Sequence, residues 1–339
     1  MKEGDVVYFE NKRILIIGGT GTIGTSLVGY LLKENPQIIK ILSRDEYKQH
    51  MMKEAFDYHE KLHFIIGDAR EYDSLIEAMD RIDYVIHVAA MKRVEVCESN
   101  PFEAVRTNVM GTYNVMKAAT QQHVKKVVFT SSDKAISPTN AYGATKLLAE
   151  RMIAATEKNK ESSTIFASVR FGNVMGSRGS VIPLFIEQIK NNQRINVTNK
   201  NMTRFMMTLE QATELTLKAL REAQGGEVFV LKMPVIQLGL LAEVLIEEIA
   251  KQNRLREDGI EVKVTGLRTG EKMYEELMTM DESKTALELQ DMYIIPSLSN
   301  NNKAYEGAKK ADIRTYSSSS QKALDREGLR ALLKKAGFI

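Results

Sequence analysis

The sequence predicts an α/β protein: a doubly wound, mostly parallel sheet with a smaller, discontinuous second lobe. Three observations carry this. Short aliphatic runs alternate with segments of helical spacing, a glycine-rich turn follows the first run, and the alternation breaks after Asn173. Strands that read as continuous apolar runs are buried on both faces, as in a parallel sheet covered by helices.

Taken in order, "RILIIGG" (13–19) is an apolar run closed by glycines and predicts the first buried strand. "TSLVGYLLKEN" has helical spacing and stops before Pro36, whose ring disfavours a helical predecessor. "IIKILSR" is the second strand, "KLHFIIGDAR" holds the third, "EYDSLIEAMDRI" is a helix and "DYVIHVAA" the fourth strand. A helix through "FEAVRTNVMGTYNVMKAATQQ" leads to the fifth, "VKKVVFTSS". The next helix begins near Tyr142 and runs to about Lys158, and "STIFASVRFGNV" gives the sixth strand. Beyond Asn173 loop, helix and short strand mix, while "TLEQATELTLKALREAQGGEVFVLKMP" reads as one more helix and strand of the first sheet. Residues 237–295 read as helix, strand, loop, helix. The polar stretch "SLSNNNKAYEGAKKADIRTYSSSSQ" is expected to be flexible or draped over the surface, and "KALDREGLRALLKKAGF" to form a terminal amphipathic helix.

Composition narrows the function classes. The chain has 339 residues, 43% hydrophobic and 27% charged, enough for two domains or one large elaborated one. A net charge of +3 gives no basis for a nucleic-acid or membrane-surface partner. Cys97 is the single cysteine, so no disulfide forms within one chain, which fits a reducing cytoplasm. No apolar run approaches the roughly 18 residues of a membrane span. The stretch "MKEGDVVYFENKR" lacks the apolar core of a signal peptide. No metal site is expected. The 17 methionines read as adaptable core filler.

"GGTGTIG" places Gly18, Gly21 and Gly24 at a three-residue spacing directly after the first strand and at the start of a helix. Glycine lets the backbone approach a pyrophosphate, and the helix start offers free N–H groups and a positive dipole end. This predicts a Rossmann-type dinucleotide site. The second strand ends in "SRDE". A carboxylate there holds a ribose 2′-hydroxyl, whereas an arginine suits a 2′-phosphate. Arg44 holds that place beside Ser43, with Lys48 near, so NADP is favoured over NAD; the competing reading has Asp45 turned inward and Arg44 on the surface.

The glycine spacing resembles the extended branch of the short-chain dehydrogenase/reductase superfamily. That resemblance implies cofactor contacts from Thr20, Thr22 and Ile23 in the loop and from Asp68 and Ala69 of "GDAR" at the adenine. It places Ala89 and Ala90 of "HVAA", and Lys92, on the nicotinamide side, and it has Asn108 of "RTNVMGT" support the site. Tyr142 and Lys146 are four apart on a helix and so share a face. A phenol with a pKa of about 10 is a poor base at neutral pH, and an ammonium one turn away would stabilise its phenolate. The same lysine can bind the nicotinamide ribose.

"SSDKAISPTNAYGATK", "VRFGNVMGSRGSVIPLF", "MTRFMMTLEQA" and "LRTGEKMYEEL" resemble the soluble UDP-N-acetylglucosamine 4,6-dehydratases over residues 10 to 295. The match is best to the configuration-inverting group that makes the keto-deoxy precursor of pseudaminic acid. The resemblance implies a UDP-sugar substrate and a homo-oligomer formed through helices of the nucleotide domain. In that family Tyr142 assists oxidation at C4, Ser132 bonds the C4 oxygen, Lys134 takes the C5 proton, and Asp133 protonates the departing C6 hydroxyl. Asn173, Arg178, Val181, Arg204, Arg268 and Glu271, with Lys92, match positions that hold the UDP portion. Such a lysine base must be neutral, which burial and neighbouring cations can arrange, and the carboxyl must keep a proton. Adjacent residues of an extended strand point to opposite sides, so both reach one sugar only across a local bend. The pattern departs from the family at Ser132, where threonine is frequent, and at Thr269, where proline is usual. The domains expected are 1–172 with 203–236 as the NADP-binding unit, 173–202 with 237–295 as the UDP-sugar lobe, and 296–339 as a polar segment and terminal helix. Alternatives are a retaining dehydratase, a 4-epimerase, an oxidoreductase acting on a 5,6-ene sugar, and a non-catalytic NADP-binding module.

Overall fold

The chain alternates from its first strand. β1 (Arg13–Ile17) leads to α1 (Thr22–Leu32), β2 (Ile38–Ser43), α2 (Glu46–Ala55), β3 (Leu62–Ile66), α3 (Tyr72–Ala78) and β4 (Tyr84–His87). Two short helices, α4 (Val94–Ser99) and α5 (Pro101–Ala104), precede α6 (Gly111–Gln121), β5 (Lys126–Thr130), α7 (Ala141–Ala155) and β6 (Ile165–Arg170). Next come β7 (Asn173–Val174), α8 (Val181–Asn192), β8 (Arg194–Val197), β9 (Thr203–Met207), α9 (Leu209–Glu222), β10 (Val228–Leu231), β11 (Val235–Gln237), α10 (Leu238–Asn253) and β12 (Glu261–Val264). The chain finishes with β13 (Glu276–Met278), α11 (Met280–Ser283), β14 (Leu287–Glu288), β15 (Met292–Ile295), β16 (Lys309–Lys310), β17 (Tyr316–Ser317) and α12 (Arg326–Lys335). The structure is a computed structural model and describes residues 8–156, 163–192, 194–297 and 304–339.

Among the described residues the main sheet runs β16-β14-β15-β10-β6-β5-β4-β1-β2-β3. The strands from β10 through β3 are parallel. This is the Rossmann-type doubly wound order, and its direction reverses between β1 and β4, where a ligand crevice opens at the carboxyl ends of the strands. β1 shows why the layers form. Ile14 and Ile16 pack with Leu27, Val28 and Leu31 of α1, whereas Leu15 and Ile17 pack with Val115, Ala118 and Ala119 of α6 and Ala149 and Ile153 of α7. Alternate side chains of one apolar run thus fill two cores on opposite faces.

A second core belongs to the smaller lobe: Ile182, Phe185 and Ile189 of α8, Ile195 and Val197 of β8, the apolar face of α10, and Leu329 and Leu333 of α12. α12 is the expected amphipathic helix; its Arg326 and Arg330 pair with Glu243, Glu247 and Glu248 of α10. α9 and β10 return to the main sheet, while β9 pairs with β7 and β11 in a separate small sheet.

Several elements differ from the sequence reading. The helix expected through Phe102–Gln122 is broken by a π-helical turn, Val105–Met110. The helix expected to close 237–295 is reduced to α11, and β15 adds antiparallel to β10 at the main sheet's edge. The polar stretch 297–321 is pinned rather than draped where it is described: Tyr316 is buried and its hydroxyl accepts from the Met233 N–H at 2.9 Å. An aromatic and two serines inside a polar run carry that anchoring, which composition alone conceals. Residues 298–303 of that stretch, and Lys158 at the expected end of α7, lie outside the described residues.

Candidate active site

The glycine turn is built to lie against a ligand. Gly18 has φ +83°, and a Cβ there would come within 2.7 Å of the Ala89 backbone, so β4 and the turn touch through bare main chain. Gly21 caps α1 without a side chain, and a Cβ there would meet only the Gly18 carbonyl, at 3.2 Å. The space over the helix start is therefore open, and the N–H groups of Thr22, Ile23 and Gly24 face it as first-turn donors. This cradle fits a dinucleotide pyrophosphate. Thr20 is buried, and its carbonyl accepts from Arg178 Nη2 at 2.7 Å.

At the end of β2 the competing readings of "SRDE" separate. Asp45 caps α2, accepting from the Lys48 N–H at 3.0 Å, and also pairs with the Lys48 ammonium. The Lys48 ammonium is thus tied to Asp45, the residue after Arg44. Ser43 is buried against Gln49. Arg44 is 60% exposed at its side chain and lies 3.6 Å from Asp68, which Arg70 also holds. Burial would raise the Asp68 carboxyl, but Arg70 and Arg44 bring it below the usual carboxylate range. Ala69 is buried next to it.

Asn108 sits on the π-helical turn. Its Oδ1 accepts from the Met91 N–H at 2.8 Å, and its Nδ2 donates to the Met91 carbonyl and to Thr145 Oγ1, each at 3.0 Å. Its amide is spent on fixing the β4 exit to α7, so it acts on the site through the scaffold. A π-turn at such a position re-aims one side chain within a helix.

The required bend is present. A 3₁₀ turn, Asp133–Ala135, follows β5, with Ser132 as its cap. Successive side chains of a 3₁₀ turn are about 120° apart, so Asp133 and Lys134 both reach the cleft. The turn presses on α7 so closely that a Cβ at Gly143 would stand 2.1 Å from the Lys134 carbonyl. Asp133 Oδ1 accepts from Ser132 Oγ at 2.9 Å and from Lys134 Nζ at 3.0 Å, while its Oδ2 is buried with no partner among the described residues.

One electrostatic expectation is corrected. Burial alone would depress the Lys134 ammonium, but Asp133 and Glu275 outweigh it and hold the group well above the ordinary lysine value. The neighbours of this lysine are mainly carboxylates, not cations, and it rests protonated. Burial likewise pushes the Tyr142 phenol up, against the Ser132 hydroxyl and Lys134, which pull it down. Lys146 Nζ donates to the Thr130 carbonyl at 2.8 Å, and burial brings its ammonium down to about 7.

A cleft of about 460 Å³ joins these groups. Ile23, Ala90, Lys92, Ser132, Asp133, Lys134, Tyr142 and Lys146 line it from the nucleotide domain, and Asn173, Arg178, Val181, Arg204, Arg268 and Glu271 from the lobe. The lobe's arginines are not equivalent. Arg204 donates to the carbonyls of Thr203, Lys272 and Met273, so it organises the loop that carries Glu271. Arg268 pairs with Glu95 of α4 across the cleft mouth. Burial, then Arg178 and Arg93, lowers Lys92.

Glu275 was missed in the sequence. It is 2% exposed, and its Oε1 stands 3.4 Å from Lys134 Nζ. Burial, with Asp133, raises its carboxyl against Lys134, Arg204 and Lys272. The available signal was the acidic pair Glu271 and Glu275 around Lys272 in "GEKMYEE".

Together these features define a protein of Rossmann-type fold with a glycine-rich turn beside a polar cleft. The chain belongs to the family described as polysaccharide biosynthesis protein, whose model matches residues 14–297. It is similar to the solved structure of Pen from Bacillus thuringiensis, with 56% identity, a TM-score of 0.92, and coverage of 98% of this chain and 100% of that one. An uncharacterized membrane protein of Methanocaldococcus jannaschii is 42% identical, covering 98% of each chain. A UDP-glucose 4-epimerase of Rickettsia bellii is 40% identical, also over 98% of each. Among the described residues no helix is long and apolar enough to cross a membrane.

Proposed function

We propose that the protein is an NADP-dependent UDP-N-acetylglucosamine 4,6-dehydratase that inverts C5, serving the synthesis of a surface glycan or nonulosonic acid. One observation carries this reading: a carboxyl, an amine and a phenol, Asp133, Lys134 and Tyr142, share one cleft beside the dinucleotide cradle. Hydride transfer alone has no use for the first two. A bound nicotinamide cofactor would accept hydride from C4 and return it to C6. Tyr142, acting as the phenolate that Ser132 and Lys134 favour against burial, takes the C4 hydroxyl proton and becomes the phenol, and Ser132 bonds the C4 oxygen. The resulting ketone acidifies the C5 proton, which Lys134 removes. Asp133 delivers a proton to the C6 hydroxyl, which leaves as water; its unpartnered Oδ2 suits that contact. Lys92, Arg178 and Arg268 supply charge to the diphosphate, Glu271 accepts from ribose hydroxyls, and Asn173 and Val181 complete the wall. Exposed Phe102, Met110, Tyr113 and Leu148, on and beside α6 and α7, support self-association through this face, which sedimentation velocity reads directly. The buried free thiol of Cys97 is in keeping with a cytoplasmic location.

The test is proton NMR of UDP-N-acetylglucosamine with the enzyme in deuterium oxide, without added reductant. The expected result is a new methyl signal, deuterium at C5 and an altered C5 configuration. The Rickettsia relative favours a 4-epimerase as the second reading, and a C4 epimer without a methyl signal would establish it instead. Conversion of a 5,6-ene sugar alone would point to the C4-oxidase/C5-reductase. For the cofactor, Arg44→Ala is expected to weaken NADP about tenfold or more while leaving NAD nearly unchanged, since a guanidinium–phosphate bond is charge-assisted. Equal losses in a titration of both would return the choice to NAD.

A further inference from the structure

We infer that Glu275 is a positioning residue that governs where the proton shared by Asp133 and Lys134 resides, and so when that pair is armed for elimination. The inference rests on the dehydratase reading. Its geometry is a bracket. Lys134 Nζ lies 3.0 Å from Asp133 Oδ1 and 3.4 Å from Glu275 Oε1, so two carboxylates hold one ammonium. Both carboxylates are buried, and Asp133 Oδ2 and Glu275 Oε2 have no hydrogen-bond partner among the described residues.

Glu275 is fixed in this place by its surroundings. Its N–H donates to Ser318 Oγ at 3.0 Å, and the Ser318 N–H donates to its carbonyl at 2.8 Å. The loop before it is clamped to the nucleotide domain: the Gly270 carbonyl accepts from Thr139 and Asn140, and Lys272 Nζ donates to the Ile136 carbonyl. The charged groups acting on it are Lys134 and Asp133 from the 3₁₀ turn, Arg204 from β9 at 4.0 Å, and Lys272 of its own loop. Arg204 and Lys272 spend donors on backbone carbonyls, and Lys134 is the nearest cation.

Elimination needs a neutral amine and a protonated carboxyl, and Lys134 rests as the ammonium. One proton transfer supplies both. An N–H bond of Lys134 breaks and an O–H bond forms on Asp133, giving amine and carboxylic acid with no proton drawn from water. The amine then takes the C5 proton, and the C5–H electron pair becomes the C5–C6 double bond. The C6–O bond breaks, its oxygen takes the Asp133 proton, and water leaves. The pair returns to ammonium and carboxylate, ready for the next turnover. An ionised Glu275 holds the proton on Lys134, whereas a neutral Glu275 releases it toward Asp133. Because burial raises Glu275, the neutral form persists to higher pH than for an ordinary glutamate. The armed pair is therefore favoured below the Glu275 midpoint and lost as pH rises through it.

Solvent deuterium incorporation at C5 of the product formed from UDP-N-acetylglucosamine, followed against pH, tests this. Wild type should show a limb that falls as pH rises. In Glu275→Gln, permanently neutral, that limb should vanish, raising the high-pH rate relative to the optimum at least tenfold, with KM little changed. Glu275→Asp should keep a limb but shift it to lower pH. A Gln variant slowed equally at all pH, with the wild-type profile, assigns Glu275 a structural role and overturns the inference. If the Gln variant does not fold, an unshifted limb in the Asp variant overturns it. No deuterium at C5 in wild type removes the dehydratase reading itself, which is distinct from exchange with an unaltered profile.

Discussion

Replacing Lys134 with alanine is expected to slow elimination about 10²- to 10⁴-fold, the range that a positioned general base contributes. Cofactor binding should survive, because Lys134 belongs to the 3₁₀ turn while the glycine cradle is formed by β1, α1 and β4. The two halves of the result are read separately: nicotinamide cofactor affinity by fluorescence titration, and deuterium at C5 by NMR. The substitution also leaves Asp133 and Glu275, both buried, facing each other without their shared cation. Like charges so placed cannot both stay ionised at ordinary cost, so the pair is expected to retain a proton and the turn to keep its shape. C5 exchange at the wild-type rate in this variant would take Lys134 out of the mechanism, and with it the distinction between this site and a simple epimerase site.

The parts of this site that the sequence disclosed are those built from local geometry. Gly18, Gly21 and Gly24 follow one strand and open one helix, and Tyr142 and Lys146 are one turn apart, so spacing alone places them. The bend at Asp133 was inferred as a need and is met by the cap of Ser132 on the next residues. Charge balance was not legible in this way. The sequence points to a neutral Lys134 because it shows what flanks the residue, not what is folded against it, and Glu275 arrives from 141 residues later in the chain. The same blindness hid the bonds that Arg204 makes to the carbonyls of residues 203, 272 and 273. It also made Tyr316 look like part of a surface segment. Each miss is a long-range contact of a polar group, and periodicity carries no information about those.

The largest stability effect is expected at another such contact. Arg170 closes β6 and is fully buried. Its Nε and Nη2 donate to Glu150 of α7, at 2.7 Å for the shortest bond; Nη1 and Nη2 donate to Glu282 of α11; and Nη1 also reaches the Leu277 carbonyl at 3.0 Å. Burial opposes the guanidinium's charge, but Glu150 and Glu282 outweigh that and raise its proton affinity. Glu150 lies on the face of α7 that carries Tyr142 and Lys146, two turns and one turn away, and it lifts Lys146 against the effect of burial. Arg170→Met fills much of the volume but leaves two carboxylates without their cation in the core. Breaking a buried pair in this way costs about 3–5 kcal/mol, a large share of the roughly 5–15 kcal/mol that typically holds a fold together. The denaturation midpoint should fall accordingly in a guanidinium titration. Adding Glu150→Gln and Glu282→Gln to Arg170→Met should recover part of the loss, because the stranded charges go with their partner. No recovery in the triple variant would mean that Arg170 contributes through packing rather than as the shared counter-ion of the helix bearing Tyr142.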